Sequence, residues 1–300
     1  MATTEAITAR YRGLDSWSGE AILAAFSEGQ EHAVRMIRTA HPQIAAAAEA
    51  IAARSGPTGS LIYVGAGSSG LIAALDGMEL GGTFGWPDER VALVLANGPL
   101  LKPGIAGGAE DDAEHGRAEI ARLKAGRHDS VIAVAASGAT PFTVAAASAA
   151  RAADALTVGV TNNSGSPLVA AVDFPIVVET GPEVIVGSTR MNAGTAQKAV
   201  LNMLSTLVMI RLGAIYDGMM VDLRVENAKL ERRAIATVMH IAGCPEKEAA
   251  AALERAGRSV KLAVLIAFGV APDEARRKLA VSRGNLRLAL DGLGLGEEMR

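Results

Sequence analysis

LIYVGAGSSGLIAALDGMEL, residues 61–80, joins a β-branched apolar run to a glycine-rich turn and then to a helical pattern. Strand, tight turn and helix form the unit of a parallel sheet, because the return to a parallel neighbour needs a crossover that covers the sheet. Four further runs look like strands: VALVLAN (91–97), SVIAVAAS (130–137), LTVGVTNN (156–163) and FPIVVET (174–180). They are apolar on consecutive residues rather than alternating, as expected when helices cover both sheet faces. Helical stretches at Ser69–Leu80, Asp112–Leu123 and Pro141–Ala153 lie between them. The repeated β-α order predicts an α/β fold: a three-layer α/β/α sandwich with a five-stranded, mainly parallel sheet and right-handed crossovers.

Upstream, residues 18–54 read as Ala-rich helices, with His41-Pro42 separating one from the next. Downstream, Met191–Gly213 reads as a long apolar helix, after which the pattern stays helical and strands are no longer visible. Helix starts are expected at Pro245 and Pro272, where acids fill the first turn. The expected division is residues 1–230 for the α/β domain with its N-terminal helices and 231–300 for a small helical C-terminal domain.

The chain has 300 residues, half of them hydrophobic, which is ample for a buried core. Only 3% are aromatic, so stacking platforms for bases are not expected, and a net charge of -3 offers no basic excess for a polyanion. Nucleic acid is therefore not an expected partner. The start, MATTEAITARYRGLD, lacks the apolar core of a signal peptide, and runs such as LNMLSTLVMI are too short to span a bilayer. No membrane association and a cytoplasmic location are expected. Cys244 is the single cysteine, and His32, His41, His115, His128 and His240 show no metal-ligand spacing, so no metal site is expected; no cofactor is expected either.

Gly65, Gly67 and Gly70 match G-x-G-x-x-G, a spacing that also serves dinucleotides. A dinucleotide site wants an acid at the end of the second strand for the ribose hydroxyls. Here that strand ends in Ala96-Asn97-Gly98, while Asp88 and Glu89 stand at its start. A Walker loop fits less well still, because Leu71-Ile72 stands where Lys and Ser/Thr would be needed. The third strand leads into a second loop of similar type, AASGATP (135–141), so that Ser69-Gly70 and Ser137-Gly138 both stand between a strand and a helix. Taken singly, each serine fits a helix N-cap. Together the two loops favour a phosphomonoester, whose oxygens accept hydrogen bonds from hydroxyls and backbone N–H groups.

The motifs VGAGSSG, AASGATP and GPEVIVGSTR resemble the sugar isomerase (SIS) domain, a phosphosugar-binding α/β fold. With LDGMELGGTFG, AGGAEDD, EVIVGSTRMNAGTAQKAVLNMLST and MMVDLRVENAKL, residues 14–290 resemble the N-acetylmuramic acid 6-phosphate etherases and, more distantly, the glucokinase regulatory proteins. The resemblance implies a lyase that removes D-lactate from the amino-sugar phosphate in cell-wall recycling, by acid/base elimination and without metal. It implies catalytic roles for Glu79 and Glu110, with Glu79 donating the proton to the leaving group. Phosphate and sugar contacts fall on Ser68, Ser69, Gly70, Ser137, Gly138, Thr140, Glu183, Ser188 and Thr189; Lys198 reads as structural or interfacial. It also implies a homodimer with the site near the interface.

Three positions depart from the etherase pattern: Leu71 and Ala139 stand where arginine is usual, and Asn192 where lysine is usual. A doubly anionic substrate would use such cations, although apolar replacement of a buried ion pair is often neutral. Two other readings share the phosphosugar: an aldose–ketose isomerase, which needs a base at C2 but no leaving group, and a phosphosugar-sensing regulator.

Overall fold

The computed structural model describes residues 3–56, 58–98 and 107–294, and within them all five expected strands are present. In chain order the elements are α1 (Gly19–Met36), α2 (His41–Arg54), β1 (Leu61–Gly65), α3 (Gly67–Phe84), β2 (Val91–Leu95), α4 (Ala113–Leu123), β3 (Ser130–Val134), α5 (Pro141–Ala152), β4 (Leu156–Thr161), α6 (Pro167–Ala171), β5 (Phe174–Val177) and α7 (Asn192–Arg211). The separation between α1 and α2 is a short 3-10 turn, Ile37–Ala40, and Pro42 occupies the start of α2, where its missing N–H costs nothing. The chain divides into two compact units, one ending at Met78 and resuming over Glu89–Thr206, the other made of Glu79–Asp88 and the segment from Leu207 onward.

In the first unit the strands pair in the order β2-β1-β3-β4-β5, all parallel. The period-2 alternation of side chains assigns the layers. Ile62 and Val64 of β1 and Val131 and Ala133 of β3 pack with Ile120 of α4, Phe142 and Ala146 of α5, and Leu168 of α6. Tyr63 points to the opposite face, where its hydroxyl donates to Asp76 Oδ2 of α3 at 2.8 Å, and Ser205 of α7 donates to Asp76 Oδ1 at 3.1 Å. This buried network fixes how α3 is rotated on the sheet. Burial, reinforced by the Asp76 charge, holds the Tyr63 phenol well above its ordinary pKa, so the proton stays on the donor side.

The glycines of the opening stretch set how closely α3 meets β1. A Cβ at Gly65 would stand 2.7 Å from the Gly70 Cα, and one at Gly70 would stand 2.9 Å from the Gly65 carbonyl carbon. Two backbones therefore touch where side chains would normally intervene, which fits the packing role of the third glycine in this motif.

The second unit contains the hairpin β6 (Ile215–Tyr216) and β7 (Met219–Met220), followed by α8 (Ala228–Ala242), α9 (Glu246–Arg255), α10 (Val260–Ala267), α11 (Pro272–Val281) and α12 (Leu286–Asp291). The hairpin corrects the expectation of helix alone after residue 213. Its signal is Asp217-Gly218, whose φ values of +48° and +77° suit the tight two-residue turn. Val238, Leu253, Val264 and Leu290 belong to a separate apolar core. Lys261, nearly buried, pairs with Asp222; burial raises the Asp222 carboxyl and the ammonium opposes that rise. Among the described residues no helix is long and apolar enough to cross a membrane.

A Gly70→Ala substitution forces α3 off β1 and is expected to cost about 1–3 kcal/mol, the usual range for overpacking a close contact. Urea unfolding measures this as a lower midpoint; an unchanged midpoint would contradict the contact.

Candidate functional site

In an open parallel sheet, ligands collect outside the carboxyl ends of the strands at the point where strand order reverses. The order β2-β1-β3 puts that point between β1 and β3. The loop after β1 (Ala66–Ser69) and the loop after β3 (Ala136, Ser137, Ala139–Pro141) both line a cavity of about 340 Å³. The two serine-bearing loops singled out in the sequence are therefore brought together.

Their local geometry is not that of simple helix caps. Because α3 begins at Gly67, Ser68 and Ser69 lie inside its first turn and neither is an N-cap. The leading N–H groups of such a turn have no intrahelical partner and carry the positive end of the helix dipole. Ser137 Oγ accepts the Ala139 N–H at 3.1 Å, which tightens the second loop. Thr140 is the N-cap residue of α5, yet its side chain makes no capping bond, and it lines the cavity. Gly138 has φ +65°, and a Cβ there would fall 2.1 Å from Ser166 Oγ and 2.6 Å from Thr161 Oγ1. Gly70 and Gly138 are thus placed as shaping residues behind the loops and do not line the cavity.

Of the two singled-out glutamates, Glu110 lines the cavity, carried with Asp111 on the 3-10 turn Gly107–Asp111. The next residue, Asp112, caps α4 by accepting the His115 N–H at 2.9 Å. His115 packs its ring 5.6 Å from that of Phe142. Glu79 is exposed on α3, in the part of that helix belonging to the second unit, and is not a wall of this cavity. Among the described residues no group of three His, Cys, Asp or Glu stands close enough to hold a metal ion.

The GPEVIVGSTR segment divides in its roles. Thr189 lines the cavity together with Gly187, whereas Ser188 does not. Glu183 is fully buried, its Oε2 accepting the Asn192 N–H and its Oε1 the Ala193 N–H, each at 2.9 Å. Its carboxylate satisfies orphan donors at the start of α7 and does not line the cavity. Burial raises its pKa, opposed by those two hydrogen bonds. Of the three departures, Ala139 alone lines the cavity; Leu71 is half-exposed, and Asn192 is buried and lines a second cavity of about 290 Å³ with Arg10, His32 and Arg35. None of the described residues lining the first cavity is cationic. Glu5, which sequence reading passed over, does line it; a carboxylate so far from any motif carries no local signal.

Replacing Glu183 by Ala leaves two buried N–H groups unpaired, at about 1–3 kcal/mol each. Urea unfolding is expected to show that loss, and stability equal to the parent would contradict the anchoring role. The raised carboxyl also sets a sign. Its contribution is fullest below the unfolded-state carboxyl pKa and is lost as pH rises through the folded value, so Glu183→Ala is expected to cost more at pH 4 than at pH 8.

Two family models described as SIS domain match residues 26–162 and 118–207. The chain is 45% identical over 295 residues to an N-acetylmuramic acid 6-phosphate etherase from Deinococcus radiodurans, covering 98% of this chain and 97% of that one. It is 49% identical over 250 residues to an N-acetylmuramic acid 6-phosphate etherase from Rubrobacter xylanophilus, covering 83% and 82%. A solved phosphoheptose isomerase from Francisella tularensis aligns at 19% identity over 65% of this chain and 98% of that one, with a TM-score of 0.46.

Proposed function

Because the chain belongs to the N-acetylmuramic acid 6-phosphate etherase family, we propose that it converts N-acetylmuramic acid 6-phosphate and water to N-acetylglucosamine 6-phosphate and D-lactate, in cytoplasmic recycling of cell-wall amino sugar. The observation that carries this reading is one cavity at the strand-order reversal in which Ser68, Ser69, Ser137 and Thr140 meet Glu110. Hydroxyls and helix N-termini suit the phosphate, and the carboxylate suits the proton transfers.

The chemistry is elimination followed by addition. In the open-chain sugar the C1 carbonyl acidifies the C2 proton. A base removes it, the electron pair forms the C2=C3 double bond, and the C3–O bond to lactate breaks as an acid protonates the leaving oxygen. Water then adds at C3 and a proton returns to C2. Glu110 is assigned the acid/base role and Glu79 the donation to the leaving group; two carboxyl groups suffice when one is protonated and the other ionised. No metal takes part in this scheme.

A homodimer belongs to the same proposal. Leu71, Leu75 and Met78 recur at helical spacing on α3 and are 42%, 46% and 63% exposed. A second copy covering this stripe would bury apolar surface beside Glu79 in the sequence and exclude water there. This reading gives Leu71 an interfacial role in place of a phosphate contact.

Incubation with N-acetylmuramic acid 6-phosphate is expected to release D-lactate, and Glu110→Gln and Glu79→Gln are each expected to lower kcat by roughly a hundredfold or more. Ser137→Ala and Thr140→Val should raise KM about tenfold or more, one hydrogen bond to a charged group each. Absence of lactate would defeat the etherase reading in favour of an isomerase or a sugar-phosphate sensor. Full activity in both glutamate variants would defeat the assigned roles.

A further inference from the structure

The N-terminal turn Thr3–Glu5 is built into the wall of the site. Thr4, in the middle of this turn, is fully buried. The Asn163 side chain ties the turn down. Its Oδ1 accepts the Thr3 N–H at 2.6 Å and the Thr3 hydroxyl at 2.8 Å, while its Nδ2 donates to Thr4 Oγ1 at 3.1 Å. The same Nδ2 donates to the Ala136 carbonyl at 2.8 Å, and Ala136 is itself a wall of the cavity. One amide thus fastens the Thr3–Glu5 turn directly to the loop after β3.

Glu5 is the last residue of that turn, and its placement depends on a glycine. A Cβ at Gly187 would come 3.0 Å from Glu5 Oε2, and Gly187 has φ +75°, so a side chain is disfavoured there twice over. Gly187 and Glu5 both line the cavity. Its hydroxyl-rich loops suit an anion, yet Glu5 adds a negative charge. A carboxylate repels a phosphate dianion and a lactyl carboxylate alike, so the groups it can serve are the neutral donors of the ligand.

We propose that Glu5 is a substrate-binding residue that accepts hydrogen bonds from hydroxyl or amide N–H groups of the amino sugar, and that Asn163 positions it by anchoring the Thr3–Glu5 turn. This rests on the phosphosugar reading of the same cavity. It makes Glu5 a selector for the sugar rather than for the phosphate.

The test separates the two ends of the ligand. Calorimetric titration of the full chain and of Glu5→Ala, Glu5→Gln and Asn163→Ala uses two probes, N-acetylglucosamine 6-phosphate and inorganic phosphate. For Glu5→Ala the sugar phosphate is expected to bind roughly 10- to 100-fold more weakly, the loss of a hydrogen bond to a charged group, while inorganic phosphate binds unchanged or more tightly. Glu5→Gln should fall between, and Asn163→Ala should repeat the selective loss. Parallel weakening of both probes, or no change in either, would overturn the proposal. Wild-type protein that binds both probes but releases no lactate from N-acetylmuramic acid 6-phosphate would overturn the etherase reading alone, the ratio of affinities still deciding the role of Glu5. Wild-type protein that binds neither probe would overturn both.

Discussion

The contact between Gly65 and Gly70 is the constraint on which the site depends. Backbone meets backbone there, with a virtual Cβ at Gly65 only 2.7 Å from the Gly70 Cα, so α3 starts directly at the end of β1. Parallel pairing of β1 with β3 then sets the start of α5 beside the start of α3. Two helix N-termini and their hydroxyl side chains converge there. The Tyr63–Asp76–Ser205 network, on the sheet face that α3 covers, fixes the rotation of that helix.

The electrostatics of the cavity follow from that geometry. Its described lining residues include Glu5, Glu110 and Asp111 and no cation. Each hydrogen bond from a neutral donor to a charged group is worth roughly 1.5–3 kcal/mol. A set of hydroxyl and N–H donors can therefore offset one missing arginine at an exposed rim position such as Ala139. In the proposed binding mode the phosphate lies with the donors and the neutral groups of the sugar with the acids.

The sheet was legible because each strand run is apolar on both faces, a pattern only a covered parallel sheet explains. The pairing of the two serine-bearing loops was legible because Ser-Gly recurs between strand and helix, whereas the close Gly65–Gly70 packing appears only in the fold. Other features depend on distance in space. Glu183 reads as a loop acid, and only the fold shows its carboxylate on the N–H groups of Asn192 and Ala193. Glu5 reads as part of a polar terminus, and only the bonds from Asn163, 160 and 159 residues away from Thr3 and Thr4, bring it to the cavity. The short hairpin at Asp217-Gly218 was missed for a different reason: two-residue strands are too brief to show periodicity, although the turn pair itself was readable.

The proposed phosphate position lies beyond the carboxyl ends of the paired strands β1 and β3, between the loops that follow them. A crystal structure with N-acetylglucosamine 6-phosphate bound tests it most directly. Phosphate oxygens are expected within hydrogen-bonding distance of the Ser68, Ser69, Ser137 and Thr140 hydroxyls, with the sugar turned toward Glu5 and Glu110. A phosphate found instead in the cavity of Arg10, His32 and Arg35 would contradict it.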